Sequence, residues 1–401
     1  MRYPNALVKV VLLLAIVFVH WVALLPESQG SDGWTMRYNG PGNGDDFPRA
    51  LAVDAQGNVY VTGYSYGVGS GYDYATIKYS PSGELLWAKR YSGPGHGGDV
   101  ANALAVDAQG NVYVTGYSTG LSSWEDYATI KYSPNGERLW VRRYNGPGNG
   151  WDDARALAVD AQGNVYVTGS SMRVGYVEDY ATIKYSPNGD PLWVRRYNGP
   201  GNGTDYAWAL ALDAEGSVYV TGHSSRVGSY YDCATIKYSP NGERLWVRRY
   251  NGPGNGPDYA NALALDAEGN IYVTGESLGI GSYQDYLTFK YSPNGELLWA
   301  KRYNGPRKSS DSANALALDA QGNVYVTGYS MGDGSNYDYA TIKYSPNGER
   351  LWVRRYNGPG NGWDDARAIA LDAQGNVYVT GNAVGVGSGN DYVTIKYSQY
   401  E

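Results

Sequence analysis

Apolar and polar positions alternate along this chain in short runs, and glycine, proline, asparagine or aspartate closes each run. In one representative stretch the runs are "ANALAVD" (101–107), "NVYVTG" (111–116), "DYATIKYS" (126–133) and "RLWVRRY" (138–144). Period-two alternation rich in Val, Ile, Tyr, Thr and Trp predicts β-strands. The connecting "DAQGN" and "SPNGE" are short enough for hairpins. Pro134 presets φ for a turn, and Gly110 and Gly136 supply the positive φ of a bulged hairpin.

This four-run unit recurs. "VYVTG" or its variant starts at 59, 112, 165, 218, 271, 324 and 377, and every interval is 53 residues. Trp34, Trp87, Trp140, Trp193, Trp246, Trp299 and Trp352 keep the same spacing. Four strands in a unit of this size make a β-propeller blade. The expected fold is all-β: a single seven-bladed β-propeller with four antiparallel strands per blade. Alternate alanines in "ALAV" suit a crowded innermost strand, and the bulky, cationic "WVRRY" suits an outer edge that resists pairing with other chains. On this phase the last copy has strands at 366–372, 377–381 and 391–398 but no outer one. The orphan "WTMRY" at 34–38 is expected to join the C-terminal blade there and close the ring.

"DYATIKYSPNGERLW" (126–140) and "ANALAVDAQGNVYVTG" (101–116) resemble the bacterial SBBP, or seven-bladed β-propeller, repeat. The likeness covers residues 34–398 in all seven copies, and "ALAVDAQGNVYVTG" is also similar to NHL-type blades. The segment after "VTG" departs from the family pattern. The resemblance implies exported bacterial proteins and supports the fold more than any one activity.

The N-terminus differs from the rest. Arg2 and Lys9 precede the stretch Val10–Leu25, interrupted only by His20, and "PESQGSDG" follows with Ser28 and Gly30 suited to cleavage. Residues 1–30 are expected to be a secretory signal peptide, with an uncleaved N-terminal anchor as the alternative, and residues 31–401 the propeller. The protein is expected outside the cytoplasm: extracellular, on the cell surface or in the periplasm. A membrane partner enters only if the leader is retained. The formal net charge of −7 disfavours nucleic acid. The single cysteine, Cys233, stands where other copies carry tyrosine and is expected to be buried and inert. A monomer is expected.

Seven equivalent groups round an axis do not converge on one reacting atom, so the repeated phrase is scaffold. Asp54 and its equivalents are expected to make Asx-type turns, and the lysines to pair with nearby aspartates. No calcium loop is present, "NGPGNG" lacks the helix that would make it a phosphate loop, and no metal or cofactor is expected. His96 and His223 are too few and too far apart for a metal or a catalytic triad. The copies differ mainly after "VTG" and between blades, connections that fall on one face of the disc. Loops on a rigid scaffold are where binding resides. The four tryptophans outside the repeat and leader positions, Trp124, Trp151, Trp208 and Trp363, map to this face. The candidate ligand-binding residues are Trp124, Trp151, Trp208, Tyr176, Tyr206, Arg173 and Arg226. Such aromatics beside arginine suit a protein interface or stacking on sugar rings. The expected function is a binding module for a glycan or protein, with no catalytic residue assigned. A polysaccharide lyase or hydrolase using carboxylates at the channel mouth, starting from Asp45, Asp153, Asp333 and Asp365, is the alternative. A purely structural surface protein is the third.

Overall fold

The computed structural model describes Lys9–Val10 and residues 34–398 apart from 229, 335 and 388. The leader expected over 1–30 otherwise lies outside the described residues. Six blades of four antiparallel strands begin at Asp46, Asp99, Asp152, Asp205, Asp258 and Asp311, the first gaining a short fifth strand, Lys9–Val10, and a three-stranded seventh runs Asp365–Leu371, Val377–Gly385 and Gly389–Tyr397. First strands of successive blades pack on one another from blade 1 to blade 7, which makes them innermost, as the alternate alanines predict.

Local chemistry builds each blade. Asp54 Oδ1 accepts from the backbone N–H of Gln56 and Asn58, and its Oδ2 accepts from Asn58 Nδ2 and Tyr60 Oη. Buried threonines pair across the second and third strands, as Thr115 with Thr129 at 2.9 Å. Contacts to the next blade repeat at fixed intervals. Tyr127 Oη donates to Ala181 O at 3.2 Å, Trp140 Nε1 to Pro187 O at 3.1 Å and Lys131 Nζ to Pro187 O at 3.2 Å. The lysines therefore anchor to the following blade's carbonyl as well as to their own aspartate, as Lys290 does to Asp266 at 3.5 Å. The third-strand aspartates pair instead with the outer-strand arginines, as Asp126 with Arg143 at 2.8 Å.

The expected closure by 34–38 is not formed. These residues make no strand, and the seventh sheet ends at its third strand. Trp34 makes the contacts that an outer strand makes to the blade after it: Nε1 donates to Pro81 O at 3.0 Å and the ring meets Tyr79. Tyr392 of blade 7 is 79% exposed, whereas its equivalents Tyr74 and Tyr127 are fully buried. Lys9–Val10 pairs in parallel with Ala50–Leu51 on the innermost strand of blade 1 and lies against that of blade 7. The first-to-last junction is thus built differently from the six others.

Cys233 shows how the repeat absorbs a change. It is buried, with its thiol pKa pushed up by burial. The next blade carries Leu287 where others carry the smaller Ala or Val and Phe289 where others carry Ile, and all three share one core cluster. Cys233→Tyr is therefore expected to overpack this junction and lower stability by about 1–3 kcal/mol. Adding Leu287→Ala should recover most of the loss in denaturant unfolding. Equal losses with and without Leu287→Ala would show that the two sites are uncoupled.

Candidate functional site

Every first strand carries a β-bulge near its start, and the bulge sets the site. In blade 3 Ala154 pairs with Gly169 and Ala156 with Thr168, so Arg155 is the extra residue. The glycine of "VYVTG" is required there, because a Cβ on Gly169 would lie 1.9 Å from Asp153 O. Bulges re-aim side chains, and these residues reach round the axis to the following blade. Asn102 Nδ2 donates to Asp153 Oδ1 at 2.8 Å and to Ala154 O at 2.9 Å. Asn314 Nδ2 donates to Asp365 Oδ1 at 2.7 Å and to Ala366 O at 2.8 Å. The guanidinium of Arg155 pairs with Asp153 and lies 4.8 Å from the Trp208 ring centre.

A belt of unlike residues follows from these contacts. Trp208 Nε1 donates to His223 Nδ1 at 3.0 Å, which places the imidazole proton on Nε2. His223 also packs on Tyr206, Tyr231 and Tyr259 at 4.8–5.2 Å between ring centres. Burial pushes its pKa down to about 3, so the ring is neutral at physiological pH. Burial raises the carboxyls of Asp153, Glu125 and Glu178, and Tyr206 donates to Glu178. Glu276, bonded to Ser312, is pushed up to about 7, and Asp365 to about 6 despite Arg367 and Asn314. Among the described residues no group of three or more His, Cys, Asp or Glu is arranged to hold a metal.

Above the belt, the loops hold the exposed tier. Trp124 and Trp151, 62% and 49% exposed, meet edge to face at 5.3 Å. Tyr176 is 88% exposed, in a left-handed backbone conformation at φ 61°. The seven residues singled out from sequence therefore divide into three groups. Trp124 and Trp151 come together at the surface and Tyr176 projects alone. Tyr206 and Trp208 lie in a first strand (Asp205–Leu212) within the belt, not in a loop. Arg173 and Arg226 clamp the loops of the next blade, with Arg173 Nη2 donating to Asn202 O at 2.7 Å and Arg226 Nη1 to Asn255 Oδ1 at 2.6 Å. His223, weighed from sequence only as a metal or triad residue, lies in a strand, Tyr259 was one of many tyrosines on the variable face, and Glu178 and Glu276 escaped the sequence reading. Their signal was disagreement between copies at strand positions, which looks like drift until the bulge shows where they point. Of the acids proposed for catalysis, Asp153 and Asp365 are each held by an arginine and an asparagine. Asp333 makes only an exposed contact with Arg307 at 3.6 Å.

A family model described as outer membrane protein assembly factor BamB matches residues 20–278, and one described as a β-propeller repeat matches 298–334. An uncharacterized WD repeat-containing protein of Acanthamoeba polyphaga mimivirus is 25% identical over 84% of this chain, which spans 29% of that protein's length. Three solved structures are similar at low identity. The β-propeller domain of the trilobed protease from Pyrococcus furiosus has a TM-score of 0.48 and 8% identity, over 88% of this chain and 97% of that one. A polysaccharide lyase, an ulvan lyase, has a TM-score of 0.48 and 12% identity, over 87% and 93%. A gluconolactonase from Xanthomonas campestris has a TM-score of 0.35 and 16% identity, over 70% and 91%.

Proposed function

Because the chain belongs to the propeller family described as outer membrane protein assembly factor BamB, exported bacterial proteins of the periplasm, outer membrane or cell surface, we propose that it is a non-catalytic binding module. In this reading its variable loop face engages a protein or glycan ligand, residues 1–30 direct export, and residues 31–401 do the binding as a monomer. The exposed Trp124–Trp151 pair carries the reading. The blade tryptophans are tied down by hydrogen bonds to the next blade, as Trp140 is to Pro187 O. These two instead present their rings to solvent on a rigid scaffold, the position of an interface anchor. Replacing both with alanine is expected to weaken ligand capture by at least about 30-fold, the loss of a ~2 kcal/mol hot spot, while leaving thermal unfolding unchanged. Pull-down or glycan-array binding that survives the double change removes this reading.

One observation favours an enzyme instead. A carboxyl held near neutrality suits general acid–base work, and Glu276 has that property. Turnover of a polysaccharide that disappears in Glu276→Gln would replace binding with hydrolase or lyase chemistry.

A further inference from the structure

The third-strand aspartates share a feature that the scaffold does not explain. Asp73, Asp126, Asp179, Asp232 and Asp285 are buried, and each gives Oδ2 to the outer-strand arginine of its own blade. Each leaves Oδ1 enclosed without a hydrogen-bond donor. A buried, unmatched carboxylate oxygen is costly, and in blades 3 and 4 a second guanidinium lies beside it as an ion-pair partner. There the position two residues after the equivalent second-strand serine, Ser171 or Ser224, is arginine. Arg173 Nε lies 3.2 Å from Asp179 Oδ1, and Arg226 Nε 3.7 Å from Asp232 Oδ1. The far end of each guanidinium reaches the linker asparagine of the next blade, Asn202 or Asn255, both at positive φ.

Blade 2 has the same slot without the arginine. Gly120 takes the place of Arg173, Asp126 Oδ1 has no donor, and Asn149 is the linker asparagine at φ 50°. A Cβ on Gly120 would lie 1.8 Å from Ser123 Oγ, so a serine hydroxyl stands where the arginine stem enters in blade 3. Trp124 and Trp151 flank this slot, one in the loop after Gly120 and the other directly after the Asn149 linker. Their perpendicular rings form a corner, which suits a cation on an alkyl stem; a sugar ring stacks on a flat platform. Glu125 adds a second enclosed oxygen, Oε2, without a donor. Arg143 pairs with Asp126 through Oδ2 and is otherwise held by Ser118 and Tyr91, so it gives no hydrogen bond to Asp126 Oδ1.

We infer that the blade-2 slot of Gly120, Asp126 and Asn149, under the Trp124–Trp151 corner, receives an arginine side chain from a partner polypeptide, as Arg173 and Arg226 fill the equivalent slots internally. This inference rests on the binding-module reading and names the chemistry its ligand carries.

The test uses a Gly/Ser decapeptide with one central arginine and the same peptide with citrulline, which keeps the shape but loses the charge. Calorimetry and indole fluorescence on the full chain should show the arginine peptide binding at least tenfold more tightly than the citrulline peptide. The Gly120→Arg/Ser123→Tyr protein, which carries the blade-3 residues at these two positions, should fill its own slot and lose at least tenfold in arginine-peptide affinity. Equal affinity for the two peptides on the unmodified protein overturns the inference, whether or not the variant folds. Undiminished binding by a folded Gly120→Arg/Ser123→Tyr protein overturns it as well. If the peptides bind equally while Trp124→Ala/Trp151→Ala abolishes ligand capture, this inference falls and the binding-module reading stands. If the tryptophan changes affect neither, both fall.

Discussion

Asp179→Ala is expected to lower the unfolding free energy by about 3–5 kcal/mol, the loss typical of removing one partner from a buried ion pair. Asp179 is shared by two guanidinium groups, Arg173 Nε and Arg196 Nη2, each at 3.2 Å, and its own side chain is 6% exposed. Arg196 also donates to Tyr144 Oη at 3.1 Å and to Ser171 O at 2.7 Å, so its position is fixed by neighbouring strands. Taking the carboxylate away leaves two cations in a poorly hydrated place with no anion to replace it. The contrast is Asp333→Ala. That carboxylate is 84% exposed and its one ion pair, at 3.6 Å, is with an arginine that is itself exposed, so its removal should change stability by less than about 0.5 kcal/mol. Urea or guanidinium unfolding of both proteins decides the matter; similar midpoints would mean that the Asp179 network contributes no more than a surface pair.

Glu276→Gln is expected to stabilise the protein at pH 8 by about 2 kcal/mol and to flatten its stability across the acidic range. Burial raises the folded-state pKa of Glu276 from 4.5 to about 7. The folded state therefore holds the proton after the unfolded chain has released it. Stability falls as pH rises from about 4.5 to 7 and is level above that. A shift of this size corresponds to about 3 kcal/mol for a fully desolvated group, and the partial solvent exposure of Glu276 reduces it. Asp152 and Asp365, raised to about 6 by burial, add to the same fall at lower pH. Asp54 acts in the opposite direction. Its hydrogen bonds to Asn58, Tyr60 and Gln56 outweigh burial and hold its pKa down, so its contribution is lost as pH falls below the usual carboxylate range. Melting temperatures of the two proteins between pH 4.5 and 8 test the point. Parallel pH profiles would show that Glu276 does not carry the slope.

Much of the scaffold was legible in the residues. The Asx turn at Asp54, the glycine at 136 with φ 78° and the third-strand run 126–132 all stand where the alternation and turn chemistry put them. The candidate site was legible only in part. Trp124 and Trp151 are in loops and exposed, as their places after "VTG" and in the blade linker imply. Trp208 carries the same label of extra tryptophan, yet a strand holds it and His223 accepts its N–H. Arg173 and Arg226 look like ligand contacts from their loop positions and prove to be internal clamps. The orphan "WTMRY" finds only the blade-1 half of its expected place.

The sequence by itself determined seven blades, their strands and turns, and the face on which they differ. Those features rest on short-range rules: period-two burial, hairpin geometry and a constant interval of 53 residues. The tertiary structure alone decided which equivalent positions become functional. Contacts between blades join residues as far as 56 apart in the chain, and a bulge turns Arg155 sideways onto the next blade. Whether Asp126 Oδ1 meets an arginine or none depends on one residue in a neighbouring loop. Repetition makes the strands at these places alike, so only the packed assembly separates an aspartate with two arginines beside it from one with a single arginine.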